Sequence, residues 1–274
     1  MLTLPNGRRV AWAEWGRVSA PSVLLLHRSP GSRLFDPDPA ATAAAGIRLL
    51  TVDRPGYGGT DPVTDPRRAA VAADVAALAD AQDLDELALL GWSGGGQFAI
   101  ELAGTLGSRV RSVSLLATPA LDEEVPWLAE EFRQMLRGLA DDPVGAAVAI
   151  ARAGQWFADN PDAVVTADPS PADAQVRGRP GVTEALTIMM REGARQGATG
   201  LAFDAVAGSR RDPFPFAEIT CPVHLWYGDA DPIGPEHGRW YAGHLRETTM
   251  TLLPDAGHLL PITHWATILD RALS

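Results

Sequence analysis

A serine enclosed by glycines joins a predicted strand to a predicted helix, and this junction constrains the fold more than any other stretch. Residues 87–90 are an apolar run of strand length, residues 91–95 read G-W-S-G-G, and a helix-compatible pattern follows. Larger side chains beside the serine would collide with the adjacent strand and helix. The pattern is that of a nucleophile elbow, whose strained turn lifts the hydroxyl of Ser93 above the sheet. The alternative is a glycine-rich turn whose serine only caps the helix.

Composition and charge restrict the class of protein. A net charge of −11 over 274 residues argues against a nucleic-acid partner, since phosphates need clustered cations. The single cysteine, Cys221, excludes an internal disulfide and disfavours a cysteine-based metal site. His237 and His244 lack companion carboxylates or cysteines in a metal-binding pattern, so we expect no catalytic metal, and we expect no cofactor. Residues 1–7 lack the features of a signal peptide, and no apolar run is long enough to span a bilayer. We therefore expect a cytoplasmic protein with a small-molecule substrate and no membrane partner; its oligomeric state stays open.

Predicted strands and helices alternate through the first 119 residues. Asn6 and Gly7 indicate a hairpin between strands at residues 2–4 and 10–15. Unbroken apolar runs are typical of strands buried on both faces of a parallel sheet. Such strands are expected at residues 23–26, 47–52, 87–90 and 113–117, with helices at 39–45, 67–81 and 95–106. The alternation predicts an α/β fold with a mostly parallel central sheet flanked by helices.

The alternation is interrupted after residue 119 by a stretch with no convincing buried strand. Helices are expected at residues 126–139, 143–157, 182–196 and 199–208, with a proline-rich linker between Asp168 and Pro180. Strands at 223–228 and 249–253 then resume the sheet, with helices at 235–245 and 262–273. The prediction is a core formed by residues 1–119 and 217–274, with a helical lid inserted at residues 120–216.

A nucleophilic serine needs a base to accept its proton and a carboxylate to orient that base. Both should follow strands, because ligands of open α/β sheets bind outside the carboxyl ends of the strands. Asp229 and Asp231 follow the predicted strand at 223–228, and His258 follows the one at 249–253. The order serine, aspartate, histidine is the one that accompanies a nucleophile elbow. Ser93 and His258 are therefore the predicted nucleophile and base, with either aspartate as the third member.

Together these motifs resemble the α/β-hydrolase family, specifically its cap-bearing branch of esterases, peroxidases and prolyl aminopeptidases. The resemblance covers nearly all of the chain outside the predicted lid. It implies that Asp231, three positions after Gly228, is the carboxylate of the triad, and that Asp229 is not. The segment A-G-H-L-L-P matches the family's terminal histidine motif, which implies that His258 is the base.

The loop at residues 27–31, H-R-S-P-G, resembles the family's H-G-x-P-G oxyanion loop, with Arg28 where glycine is usual. The resemblance implies that the oxyanion is held by the N–H of Gly94 and by that of Ser29 or Arg28, while His27 stabilises the loop. Arg28 also brings a cation near the pocket and predicts a preference for substrates with an acidic group. A surface salt bridge is the alternative for Arg28. The family turn at residues 53–58 is assigned no chemistry.

Apolar side chains near the serine and on the predicted lid helices are candidates for the substrate pocket. Trp92 adjoins the nucleophile, and Trp127, Trp156 and Met189 lie on the lid with Phe157 and Met190. Such residues more often serve packing than ligand binding, but a lid over a cleft has to present some of them.

The predicted function is that of a serine hydrolase, specifically a carboxylesterase acting on small-molecule esters through an acyl-enzyme. A serine nucleophile argues against haloalkane dehalogenases and epoxide hydrolases, which use aspartate. Prolyl aminopeptidase, C–C bond hydrolase and cofactor-free perhydrolase activities remain alternatives on the same triad. The first would need acidic lid residues to grip an amino terminus, for which the candidates are Glu123, Glu124, Glu130 and Glu131. A non-catalytic ligand-binding member is the alternative from another class, and the complete triad argues against it.

Overall fold

A seven-stranded sheet forms the centre of the computed structural model, which describes residues 1–138, 141–166, 170–210 and 212–274. A separate two-stranded ribbon is formed by β1 (Leu2–Thr3) and β2 (Arg9–Val10). The large sheet contains β3 (Trp12–Gly16), β4 (Ser22–Leu26), β5 (Arg48–Val52), β6 (Leu87–Trp92), β7 (Val110–Leu116), β8 (Val223–Gly228) and β9 (Thr248–Leu253). Its order is β3-β5-β4-β6-β7-β8-β9, and only the β3–β5 pair is antiparallel. The predicted mostly parallel sheet is thus confirmed.

Helices cover both faces of this sheet, as the continuous apolar runs predict. Leu24 and Leu26 of β4 pack in one cluster, while Val23 and Leu25 of the same strand pack in another. Successive side chains of a strand point to opposite faces, so both faces are buried. The first cluster includes residues of α2 (Arg68–Ala81), α3 (Gly95–Leu106) and α11 (Pro235–Ala242). The second includes residues of α12 (Leu260–Leu273), beside which α1 (Pro39–Ala45) lies.

The start and end of the chain differ from the prediction in detail. The strand expected at residues 10–15 is divided at Ala11, whose N–H donates to Thr60 Oγ1 over 2.9 Å and whose carbonyl accepts from the Asp53 N–H. The chain therefore leaves the ribbon there and joins the large sheet as β3. The last helix begins two residues earlier than predicted, and its backbone is non-helical at His264.

A helical insertion connects β7 to β8. It contains α4 (Glu130–Gly138), α5 (Pro143–Ala153), α6 (Gln155–Asp159), α7 (Pro161–Thr166), α8 (Pro171–Arg177), α9 (Val182–Gly193) and α10 (Thr199–Ser209). The single helix expected at residues 143–157 is broken at Gly154, and the one expected at 182–196 ends in a tight turn after α9. None of the helices in the described ranges has the length and apolar character needed to cross a bilayer.

The linker expected between Asp168 and Pro180 is the largest error in this part of the prediction, because α8 lies inside it. Ser170 caps this helix by accepting a hydrogen bond from the Asp173 N–H over 3.1 Å, and proline occupies the first helical position. A capping serine followed by proline is a start signal that outweighs the local proline content. Asp168 and the predicted helix end at Leu139 lie outside the described residues.

Candidate active site

The elbow positions Ser93 between β6 and α3. The backbone of Ser93 has a φ of 55°, the left-handed region that non-glycine residues rarely occupy. Its N–H donates to the Leu116 carbonyl of β7 over 2.8 Å, which ties the turn to the neighbouring strand. A Cβ on Gly91 would overlap the backbone of Gly96, and one on Gly95 would overlap the Leu26 carbonyl. The glycines therefore permit the close strand-to-helix contact that holds the serine in this conformation.

The loops after β8 and β9 bring a carboxylate to an imidazole. His258 Nδ1 lies 2.9 Å from Asp231 Oδ2, and the other oxygen of Asp231 accepts from the Ile233 N–H over 2.9 Å. Asp231 is buried, whereas Asp229 is exposed and accepts from the Asp255 N–H instead. Of the two aspartates, the structure places Asp231 against His258.

Ser93, Asp231 and His258 all face one cavity of about 240 Å³. Arg28 and Ser29, which lie in the chain before the insertion, also line this cavity. Helices of the insertion, and the segment leading into them, complete the wall with apolar side chains and a few charged ones, including Trp127, Val165, Asp173, Arg177, Leu186 and Met189. Two of the four predicted pocket residues, Trp127 and Met189, thus lie in the cavity wall, as does Met190.

The other two predicted pocket residues lie elsewhere. Trp92 is fully buried behind the wall, stacks on Phe35 at 5.4 Å between ring centroids, and donates from Nε1 to the His258 carbonyl over 2.9 Å. Adjacent residues of a strand point to opposite faces, so the side chain that precedes Ser93 in sequence is directed into the sheet packing. Trp156 is 63% exposed, and Phe157 packs against the buried cluster that contains Val23 and Leu25 of β4. Proximity in sequence and helical spacing were therefore insufficient guides to the wall.

The two predicted oxyanion donors lie next to each other. The three atoms nearest to a Cβ built on Gly94 all belong to Ser29, and its Oγ would overlap that Cβ. In the hydrogen-bond network of the described residues, the N–H groups of Gly94 and Ser29 have no acceptor. Arg28 belongs to the cavity wall, and the predicted alternative of a surface salt bridge is not observed among the described residues.

His27 lies in the loop at residues 27–31, and it is not among the residues that line the cavity. Its Nδ1 is 2.7 Å from the Arg28 carbonyl, which it can only contact as a donor. Burial, and then the charge of Arg54, lower the pKa of His27 well below its ordinary value. The ring is therefore a neutral group that holds the loop, in the place that the sequence predicts for it.

A buried ionic cluster joins the loop at residues 27–31 to the insertion. Asp204 of α10 accepts hydrogen bonds from Arg54 Nε (2.8 Å), Arg54 Nη2 (2.5 Å), the Tyr57 hydroxyl (2.8 Å) and the Ser29 hydroxyl (2.5 Å). Arg54 also donates from Nη1 to the His27 carbonyl over 2.6 Å. Burial disfavours the charged form of Arg54, but the attraction of the Asp204 carboxylate outweighs this effect, and the pKa of Arg54 is raised. No local pattern in the sequence indicates this role for Asp204, and no chemistry is predicted from the sequence for the turn that contains Arg54.

A second carboxylate of the insertion fixes the histidine loop. Asp173 of α8 is buried and accepts hydrogen bonds from the His258 N–H (3.1 Å) and the Leu259 N–H (2.8 Å). A Cβ on Gly257 would overlap the Asp173 carboxylate, so glycine is required for this approach. The spacing of Ser170 and Asp173 is a capping signature, which predicts the start of a helix. It does not predict that Asp173 contacts the histidine loop.

Comparisons with known proteins agree with the fold described above. Residues 11–271 match the model of the alpha/beta hydrolase family. The chain belongs to this family. Over 223 residues the hydrolase is 29% identical to the pimeloyl-[acyl-carrier protein] methyl ester esterase of Chromobacterium violaceum. The aligned region covers 78% of the chain and 77% of that relative.

Two further comparisons are more distant or less complete. The hydrolase is 28% identical over 264 residues to the dihydrolipoyllysine-residue acetyltransferase component of the acetoin cleaving system of Pseudomonas putida, covering 93% of the chain but 63% of that relative. The crystal structure of bromoperoxidase from Bacillus anthracis superimposes with a TM-score of 0.72 at 19% identity, over 97% of the chain and 95% of that structure. This last likeness concerns the fold alone.

Proposed function

We propose that this alpha/beta hydrolase is a carboxylesterase that acts on small-molecule esters through a serine nucleophile and without a cofactor. The observation that carries the proposal is the 2.9 Å contact of His258 Nδ1 with Asp231, on the cavity that Ser93 also faces. The contact leaves Nε2 of the imidazole as the atom to accept a proton from the serine hydroxyl. The esterase named among the relatives supports the same class of reaction.

The reaction has two halves on one set of groups. In the first, Ser93 attacks the ester carbonyl while His258 takes its proton; Asp231 stabilises the imidazolium, and the Ser29 and Gly94 N–H groups stabilise the oxyanion. The imidazolium then protonates the departing alcohol, which leaves an acyl-enzyme. In the second half His258 deprotonates a water molecule, which attacks the acyl group and releases the acid as the proton returns to Ser93.

The helical insertion, residues 120–216, serves in this proposal as a cap over the site. Trp127 and Met189 would then contact the substrate, since they line the cavity from the side opposite the sheet. The four glutamates that an aminopeptidase would need are exposed and lie outside the cavity wall, which favours an ester over a peptide amino terminus as the ligand.

Replacement of the nucleophile tests the proposal. Ser93→Ala should reduce p-nitrophenyl acetate turnover by a factor on the order of 10⁶ in kcat, to background, and abolish labelling by a fluorophosphonate probe. The exposed Ser19→Ala is the matched control and should retain both properties. Circular dichroism would verify that both variants are folded. Turnover that survives in folded Ser93→Ala protein would refute the assignment.

A further inference from the structure

Arg28 carries a cation on the cavity wall that the described residues do not neutralise by direct contact. A guanidinium has five N–H donors in a planar fork. Among the described residues none of those donors has a hydrogen-bond acceptor, and the Nε atom is buried without a partner. The side chain lies over the indole of Trp92, with its guanidinium carbon 5.4 Å from the ring centroid. This contact orients the guanidinium of a residue that lines the cavity.

Arg54, in the neighbouring turn, shows what a structural arginine looks like in this protein. It is fully buried and matched by the two oxygens of Asp204. For Arg28, burial lowers the pKa, and the more distant carboxylates of Asp173 and Asp231 oppose this only in part. Since arginine does not lose its proton and buried polar groups are normally hydrogen-bonded, the fork of Arg28 is suited to binding an oxyanion.

The carboxylates nearest to Arg28 are already engaged. Asp173 accepts from two backbone N–H groups, and Asp231 is bonded to His258 and to the Ile233 N–H. Neither can turn to Arg28 without breaking contacts that hold the histidine loop. Any further anion in the cavity would thus approach the fork of Arg28 while being repelled by both aspartates, and this favours a singly charged group over a doubly charged one.

We propose that Arg28 binds a carboxylate on the substrate, so that the protein prefers esters whose acyl part ends in a second, ionised acid group. The inference rests on the proposed esterase function of Ser93. A cavity of about 240 Å³, the volume of about eight water molecules, suits a short acyl chain. Apolar wall residues such as Leu186 and Met189 would contact its methylene groups. A monovalent carboxylate can pair with the guanidinium of Arg28, whereas a phosphate dianion would be repelled twice as strongly by the two aspartates.

Matched substrates measure this preference directly. We would compare p-nitrophenyl monoesters of succinic, glutaric and adipic acid with neutral analogues in which a methyl ketone replaces the terminal carboxylate, correcting for spontaneous hydrolysis. Hydrogen bonds to charged groups predict that wild type prefers the best anionic ester by about tenfold to a hundredfold in kcat/KM, mainly through KM. Arg28→Met should lower the anionic-to-neutral ratio by that factor, and Arg28→Lys should restore part of it.

Arg177→Met is the control for a general loss of positive charge. Arg177 also lines the cavity, but it donates to the Val165 carbonyl over 2.7 Å, so its removal should change the ratio less. The inference is overturned if wild type shows no anionic preference, if Arg28→Met lowers both ester series equally, or if Arg177→Met changes the ratio as much as Arg28→Met.

A binding experiment separates this inference from the proposed function. Ser93→Ala protein would be titrated calorimetrically with monomethyl adipate, dimethyl adipate and methyl phosphate. The monoanion should bind at least about tenfold tighter than the neutral diester, and adding Arg28→Met should remove the difference. Equal binding of the two adipates, or tighter binding of methyl phosphate, overturns the inference whether or not Ser93 proves to be the nucleophile.

Discussion

Asp204→Asn is the sharpest test of how the insertion supports the site. The substitution keeps the size of the side chain and removes its charge. Asp204 and Arg54 have side-chain exposures of 4% and 0%, so water cannot compensate the guanidinium that is left behind. Oδ1 of Asp204 accepts from Arg54 Nε, and Oδ2 accepts from Arg54 Nη2, Tyr57 and Ser29, so whichever oxygen becomes an NH₂ group, at least one donor of Arg54 loses its acceptor.

The expected loss is that of a broken buried ion pair, about 3–5 kcal/mol in the free energy of unfolding. This is a large part of the roughly 5–15 kcal/mol that holds a domain folded. At about 2 °C per kcal/mol for a chain of this size, the melting temperature should fall by about 6–10 °C. Activity should fall as well, by up to about 10²-fold in kcat, because the Ser29 loop is no longer held against Gly94.

Thermal and urea unfolding followed by circular dichroism, with p-nitrophenyl acetate turnover below the transition, would measure both effects. Asp162→Asn is the control, since Asp162 forms an ion pair with Arg191 in which both side chains are more than half exposed. The double replacement of Arg54 by Met and Asp204 by Leu should unfold less readily than either single variant, because it removes both charges together. An Asp204→Asn protein as stable and active as Asp162→Asn would refute the reasoning.

Two further predictions concern the loops on either side of Ser93. Asp173→Ala should lower kcat for p-nitrophenyl acetate and cost roughly 1–3 kcal/mol of stability, because the N–H groups of His258 and Leu259 lose their acceptor. Ser170→Ala removes the helix cap and one donor to Asp173 but leaves both of those acceptor contacts in place, so it should affect kcat much less. An effect of Asp173→Ala on KM alone would contradict this role. The pKa of His27 is lowered in the folded chain, so below the unfolded value of about 6.5 the unfolded chain takes up a proton that the folded chain does not. The free energy of unfolding should therefore decrease from pH 7 towards pH 5, by up to about 1.4 kcal/mol per pH unit for this group. His27→Gln should flatten that slope in denaturation measured across the range, and an unchanged slope would disprove the assignment.

The sequence predicted those parts of the site that depend on local geometry or on the ends of strands. The tight turn around Ser93 needs glycines at fixed positions, so the motif is visible in five residues. His258 and the two candidate aspartates were found because parallel strands present their carboxyl ends at one edge of the sheet. The same rule did not distinguish Asp229 from Asp231, since both follow β8; the resemblance to the family made that choice, and in the structure Asp231 is the one that contacts His258.

The rest depends on tertiary contacts for which no local pattern exists. Asp204 reaches Ser29 across 175 residues of sequence, and Asp173 reaches His258 across 85. The sequence of a helix does not show which distant group an aspartate on it will contact. Helical spacing places Trp156 on the lid but does not show which way its side chain faces. The capping signal of α8 lies among prolines, which favour the prediction of a linker.

The two carboxylates that the insertion extends into the core have a consequence for engineering substrate range. Helices α8 and α10 carry Asp173 and Asp204, which brace the loops of His258 and Ser29. The stretch from Trp127 to α7 contributes wall residues, and none of its described side chains forms a hydrogen bond with either loop. Transplanting the whole insertion from a relative would replace specificity and scaffolding together. An exchange limited to residues 120–166 would alter the wall while both braces stay native, and so defines the smaller unit for grafting.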